Sequence, residues 1–170
     1  MSLLPALTKL GLLALQSAKA GGEPVVLTDV ALGSAPRLPT TDETGLIAPI
    51  VSTPITSHTL DTMTGQLDLG VQIDGAAVGL TQDHIVHEAG VFDQLGRLIY
   101  YWASPDSLGS ITPRSAYALN IAVLLAQADA AVIHIVDQGP PWDAVLGRQI
   151  TALEARTRQA SFRNLFLAQA

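Results

Sequence analysis

Three groups of side chains in this sequence have the types and spacing that chemistry would need. The first is His84-Ile85-Val86-His87-Glu88, two imidazoles three residues apart beside a carboxylate. On a helix that spacing would place both rings on one face, as a metal site requires. The surrounding residues read as strand, where those positions point to opposite faces. A catalytic zinc needs three convergent ligands and an open position. Only Asp83, Asp93 and His134 could be added, none at a characteristic spacing, so no metal is expected. The second group is Glu88 with Asp93, since glycoside hydrolysis uses a pair of carboxylates. Asp93 opens a turn, however, and Glu88 is expected to make a structural hydrogen bond near it. The third is Tyr100-Tyr101-Trp102, which could stack on sugars or bases. A run of rings in a strand more often divides between core and interface.

Other signatures are missing. Serines 104, 107, 110 and 115 flank a loop but stand in no G-x-S-x-G elbow. No glycine-rich phosphate or dinucleotide loop occurs. No residue is assigned a catalytic or cofactor role, and the chain is expected not to be an enzyme.

Composition narrows the class. The 170 residues suit one domain with a short appendage. A chain this long buries about 70% of its unfolded surface without staples. It contains no cysteine, hence no disulfide framework and no thiolate metal site. Charged residues make up only 14% and hydrophobic ones 48%, which predicts that much of the surface meets other protein. The net charge of −6 argues against nucleic acid, because phosphate neutralisation needs clustered cations. The apolar residues 3–15 lack a basic leader and contain Lys9, so they read as a helix rather than a signal peptide. They are also too few to cross a bilayer, which takes about 20. No membrane contact is expected.

The elements follow from local pattern. Thr8 is a suitable N-cap for a helix over 9–20, with apolar residues on one face and Gly21-Gly22 ending it. Residues 25–32 form a strand, followed by a polar, proline-containing loop over 33–45 of the kind that often binds. Residues 47–60 are extended, and Pro49 and Pro54 place them at a sheet edge. Residues 61–65 turn, and 66–74 alternate as a strand with Leu67, Leu69, Val71 and Ile73 on one face. A hairpin over 86–102 turns at Asp93-Gln94-Leu95-Gly96. After a second polar loop, 118–125 and 130–136 suggest another hairpin, turned at Gln127-Ala128-Asp129.

The first hairpin carries a resemblance. His87-Glu88-Ala89-Gly90-Val91-Phe92-Asp93, then Gly96-Arg97-Leu98-Ile99, resembles the R-E-I-G-L-[FY]-D-x-x-G-x-L-I signature of the phage tail-collar fibre protein family. Thr8-Lys9-Leu10-Gly11 is similar to that family's opening T-x-x-G. Leu27-Thr28-Asp29-Val30-Ala31-Leu32-Gly33 is similar to its L-T-x-[IM]-A-V-G strand, and Thr44-Gly45-Leu46 to its T-G-L segment. The likeness spans residues 8–137 and departs from the pattern at His87, where the family carries Arg. It implies a structural virion protein that anchors a tail fibre to the baseplate of a contractile tail. It further implies baseplate wedge proteins and a downstream fibre chain as partners, a homotrimer, and synthesis in the cytoplasm of a host bacterium. Glu88, Gly90, Asp93 and Gly96 would then be structural residues of the turn region. A carbohydrate-binding module using Tyr100-Tyr101-Trp102 is the alternative.

Gln138-Gly139-Pro140-Pro141 divides a body, 1–138, from an appendage, 139–170. From Trp142 onward helix formers dominate. Leu146, Ile150, Leu153, Thr157, Ala160, Asn164 and Leu167 keep an a/d heptad register, a candidate seam for oligomerisation or fibre attachment. The expected fold is α+β: a β-sandwich-like antiparallel core, an N-terminal helix and a protruding C-terminal helix.

Overall fold

A computed structural model describes residues 5–61, 63–124 and 133–136. The chain divides into two units, Met1–Gly139 and Pro140–Ala170, and every described residue belongs to the first. The expected C-terminal helix and its seam, Leu146 to Leu167, lie outside the described residues.

After a two-residue strand, β1 (Ala6–Leu7), the chain enters α1 (Lys9–Lys19). Thr8 Oγ1 accepts the Gly11 N–H at 2.9 Å and donates to the Leu98 carbonyl at 2.5 Å. One hydroxyl thus caps the helix and ties it to the sheet. At the other end Gly22 N donates to Ser17 O and Gly21 N to Ala18 O, with Gly21 at φ +91°. That pair of bonds is a Schellman closure, which needs a residue in the left-handed region. Ala14, Leu15 and Ala18 face the core.

The strands follow as β2 (Val25–Gly33), β3 (Pro49–Pro54), β4 (Ser57–Asp61), β5 (Gln66–Asp74), β6 (His84–Val86), β7 (Glu88–Asp93), β8 (Leu98–Ala103), β9 (Gly109–Ile111), β10 (Ala116–Leu124) and β11 (Ile133–Ile135). The larger sheet runs β1–β8–β7–β2–β11. The free side of β2 is shared: β11 pairs with Val25–Leu27 and β3 with Asp29–Gly33. A second sheet runs β10–β5–β4, and β6 pairs with β9. Val25, Leu27, Val30 and Leu32 of the first sheet share one core with Leu67, Leu69, Val71, Ile73, Ile121 and Val123 of the second. Spacing between Leu27 and Val30 breaks the period of two. The β2–β7 register shifts between Leu27 and Asp29, and this irregularity absorbs the extra residue so that both halves of β2 face inward. Burying each such side chain stabilises by about 1.5–3 kcal/mol.

Three expectations are corrected. The class is mostly β rather than α+β: the described residues form eleven strands and a single 11-residue helix. The helix only closes one side of the core, so it adds no second layer. The strands at 118–124 and 133–135 do not pair with each other as the expected second hairpin; its turn, Gln127-Ala128-Asp129, lies outside the described residues. β10 pairs with β5 over nine residues without a shift, while β11 joins the other sheet, parallel to β2. The core is therefore not wholly antiparallel. Alternating apolar residues select a face, and both sheets offer one. Lastly, residues 47–60 are not one edge strand but two strands in different sheets. The crossing is at Ile55, fully buried, whose N–H reaches Thr28 O; the next N–H, of Thr56, reaches Gly70 O.

The β7–β8 hairpin turns where expected. Buried Asp93 accepts N–H bonds from Leu95 and Arg97 at Oδ1, and Arg97 Nε and Nη2 approach Oδ2 at 2.8 and 2.6 Å. Gly96 N donates to Asp93 O, and Gly96 sits at φ +72°. A β-branched residue is strained there. Gly96→Val is therefore expected to destabilise the protein by about 1–3 kcal/mol. Thermal melts measure this, and an unchanged midpoint would remove the turn assignment.

Candidate functional site

The face of β7 and β8 turned away from the main core is built by cross-strand pairs. Glu88 stands between Gly33 and Ala103, Gly90 between Ala31 and Tyr101, and Phe92 opposite Leu98. Left bare, this face would expose Leu98, Tyr101 and Ala103. The loop over residues 34–48 closes on it, with Leu46 packed against these side chains. Ser34 N donates to Ala48 O and so joins the two ends of the loop.

Glu88 holds the loop down. Its side chain is fully buried. Oε1 accepts the Tyr101 hydroxyl at 2.7 Å and the Ile47 N–H at 3.4 Å; Oε2 accepts the Ala48 N–H at 3.3 Å. Arg37 Nε lies 3.5 Å from Oε1, and Arg37 also donates to the Tyr101 hydroxyl from Nε at 3.1 Å and Nη2 at 3.0 Å. Beyond it Glu43 Oε1 meets Arg37 Nη2 at 2.5 Å and the Thr40 hydroxyl at 2.8 Å. The far side of the loop is tied to the helix start, where Lys9 N donates to Thr41 O and the Lys9 ammonium pairs with Asp42. Burying a carboxylate is costly unless charge and hydrogen bonds meet it, and here both do.

Two glycines make room. A Cβ on Gly33 would strike Glu88 Oε2 and come within 2.9 Å of Ala48 O. A Cβ on Gly90 would lie 2.6 Å from Leu98 Cδ1 and 2.7 Å from Leu46 Cδ1. Gly90 thus acts through close packing of the loop, whereas Gly96 acts through the turn.

The electrostatics follow from these contacts. Arg37, chiefly by its bond to Glu43 and then by Tyr101, is held above its ordinary pKa. Glu43 is lowered, first by Arg37 and then by Thr40. Burial, aided by the bond to Glu88, raises Tyr101 to about 12. The phenol therefore stays protonated and donates.

Sequence reasoning singled out Glu88, Gly90, Asp93 and Gly96, and the structure separates them. Glu88 and Asp93 occupy opposite ends of β7 and share no partner, so the hydrogen bonds of Glu88 run to the loop rather than to the turn. Both carboxylates are buried and accept backbone N–H groups. His87 Nδ1 lies 3.1 Å from Ser104 O. Among the described residues no group of three or more His, Cys, Asp or Glu could hold a metal ion. The aromatic run offers no stacking platform, because Tyr100 and Tyr101 are buried and Trp102 packs against the core. Arg37, Thr40 and Glu43 were missed, and Gly33 and Leu46 entered only as parts of motif segments, with no contact expected between them and Glu88 or Gly90. The available signal was that Arg37, Arg97 and Arg114 are the only arginines before residue 140, and that Arg37 stands in a loop with Glu43.

Comparison with known proteins gives no match, either to a family model or to a curated protein.

The depressed Glu43 pKa fixes a pH dependence. A folded-state value below the unfolded one, about 4.3, gives stability that is complete above that value and disappears as pH falls through the folded one. Urea midpoints of the wild type should thus decline more steeply below about pH 4.5 than those of Glu43→Gln. Parallel profiles would show that the Arg37–Glu43 pair does not hold the loop.

Proposed function

We propose that this chain is a structural virion protein that anchors a tail fibre to the baseplate of a contractile phage tail or phage-derived particle. The observation that carries the reading is the loop 34–48. It is fixed by a buried carboxylate, yet it holds Leu38 and Ile47 out in water at 73% and 59% exposure. A rigid loop with exposed apolar side chains loses little entropy on binding. Such side chains suit anchors for pockets on a protein partner. The loop's charges are already matched by Lys9 with Asp42 and by Arg37 with Glu43. Its contact would therefore be apolar and little affected by salt.

The resemblance to tail-collar fibre proteins rests on the hairpin His87–Ile99, and two of its features have physical roles in this fold. Asp93 and Gly96 make the turn; Glu88 and Gly90 seat the loop. These are architectural tasks, which fits a structural protein rather than an enzyme. Baseplate wedge proteins would contact the loop, and a downstream tail-fibre chain would join through the appendage 139–170. The copies would form a homotrimer along Leu146, Ile150, Leu153, Thr157, Ala160, Asn164 and Leu167. The site of action would be the virion, after synthesis in the host bacterium.

Two experiments test this. Particles assembled with the double variant Leu38→Asp, Ile47→Asp should lack fibres in electron micrographs, while the purified variant keeps its melting temperature. Normal fibre occupancy would exclude the loop as the docking element, and absence of the wild-type chain from purified particles would exclude the virion role itself. In sedimentation equilibrium the full chain should be a trimer and a chain ending at Gly139 should not. Two monomers, or two equal trimers, at tens of micromolar would rule out assembly through the appendage.

A further inference from the structure

The loop over residues 34–48 is held from two sides. On one side stands Glu88, which accepts the Ile47 and Ala48 N–H groups and meets Arg37. On the other stands the first residue of α1. Lys9 N donates to Thr41 O at 2.8 Å, and the Lys9 ammonium pairs with Asp42. The N–H at the first position of a helix has no partner within that helix. The helix thus gives the loop a donor that it does not itself use.

Both holds bear on the same stretch of β8, residues 98–101. The Leu98 carbonyl accepts the Thr8 hydroxyl, while the Leu98 side chain belongs to the cluster that Leu46 of the loop packs against. Ile99 O accepts Thr8 N at 3.0 Å, and a Cβ on Gly11 would strike that same oxygen, so the helix rests on β8 without slack. Tyr101 pairs with Ala6 of β1 and donates its hydroxyl to Glu88. Partial opening of the loop is also costly. Lifting Ile47 and Ala48 takes two donors from a carboxylate that stays buried, and lifting Arg37 leaves that carboxylate without its cation. Removing one partner of a buried charge is strongly destabilising. The bond from Ser34 N to Ala48 O joins the two feet of the loop, so neither moves alone.

We propose that the loop 34–48 is a strap that seats and releases as one unit, and that the start of α1 controls it through the Lys9 N–H. Loosening the loop at Thr41 loosens Ile47 and Ala48 at Glu88. Loosening the Glu88 clamp frees the Lys9 N–H in turn, because coupling between two sites is reciprocal. Local opening of such a cooperative unit has its own free energy, below that of global unfolding. How firmly the helix start is seated then sets how steadily Leu38 and Ile47 are presented. That last consequence rests on the anchoring reading; the coupling itself does not.

The test is residue-by-residue amide exchange of the full chain, measured by NMR. Lys9→Pro removes the N–H and the ammonium and leaves the helix, since proline is favoured at the first helical position. Thr8, at φ −75° and ψ 162°, already has the extended conformation that precedes a proline. In this variant the Ser34, Ile47 and Ala48 amides should exchange about fivefold faster, with those of β5 unchanged. Lys9→Ala keeps the N–H and should change the same amides by less than about twofold, because an exposed ion pair contributes little. In the other direction, Arg37→Met should speed exchange of the Lys9 amide about tenfold. The Gly11 amide, bonded to the Thr8 hydroxyl, should stay as it was and so show that the helix cap holds. Unchanged loop amides in Lys9→Pro, equal acceleration in Lys9→Ala, or an unchanged Lys9 amide in Arg37→Met overturns the proposal. So does equal acceleration in β5, which would report a general loss of stability. Particles assembled with Lys9→Pro should carry fewer fibres. Normal fibre occupancy together with faster loop exchange would support the strap and remove its consequence for anchoring.

Discussion

A carboxylate removed from water must find its hydrogen bonds inside the protein, and Glu88 finds them in the backbone of a loop. The Ile47 and Ala48 N–H groups point at it, Tyr101 donates to it, and Arg37 brings a cation. Everything on that side of the larger sheet depends on this arrangement. Without the loop, Leu98 and Tyr101 would face solvent; without Gly33 and Gly90, the loop could not approach. Among the described residues no buried side-chain nitrogen or oxygen lacks a partner, so the network is complete as it stands. A complete buried polar network fixes one arrangement, since each alternative would leave a donor or acceptor unmet.

The opposite side of the same sheet is governed by shape. There the two sheets share an apolar core, and the irregular register within β2 sets which residues enter it. The irregularity and the clamp are related. Beyond the shift, Val30 and Leu32 point into the core, while Gly33 follows opposite Glu88 at the end of the pairing. A strict alternation through β2 would have inverted one half of the strand. The loop that begins after Gly33 therefore leaves from the right place only because the register slips earlier.

Much of this was legible locally. Thr8 and Gly21-Gly22 bounded the helix, and Asp93 with Gly96 defined the hairpin, because caps and turns depend on residues close in sequence. Alternation located β5. What alternation cannot supply is the neighbour. It said that 118–125 and 130–136 held strands and could not say that β10 and β11 belong to different sheets. Nor could it reveal that Ile55 carries the chain from one sheet to the other, since a single buried residue between two extended segments has no pattern. The loop clamp was illegible for the same reason. Arg37, Glu43 and Glu88 meet through the fold, and their separation in sequence says nothing of it.

His87, the neighbour of Glu88 in the chain, illustrates why the cation must come from elsewhere. Successive residues of an extended chain point to opposite sides, so a cation at 87 would be turned away from the carboxylate at 88. Here the imidazole at 87 meets the Ser104 carbonyl instead, and Arg37 reaches Glu88 from the loop. Supplying the charge from the loop couples two events: the carboxylate is neutralised only when the loop is seated. An apolar residue at 88 could pack as well, and a buried ion pair is often no more stable than its apolar replacement. It would, however, give the Ile47 and Ala48 N–H groups nothing directional to bond. The buried charge thus specifies where the loop sits, and with it the direction in which Leu38 and Ile47 are presented.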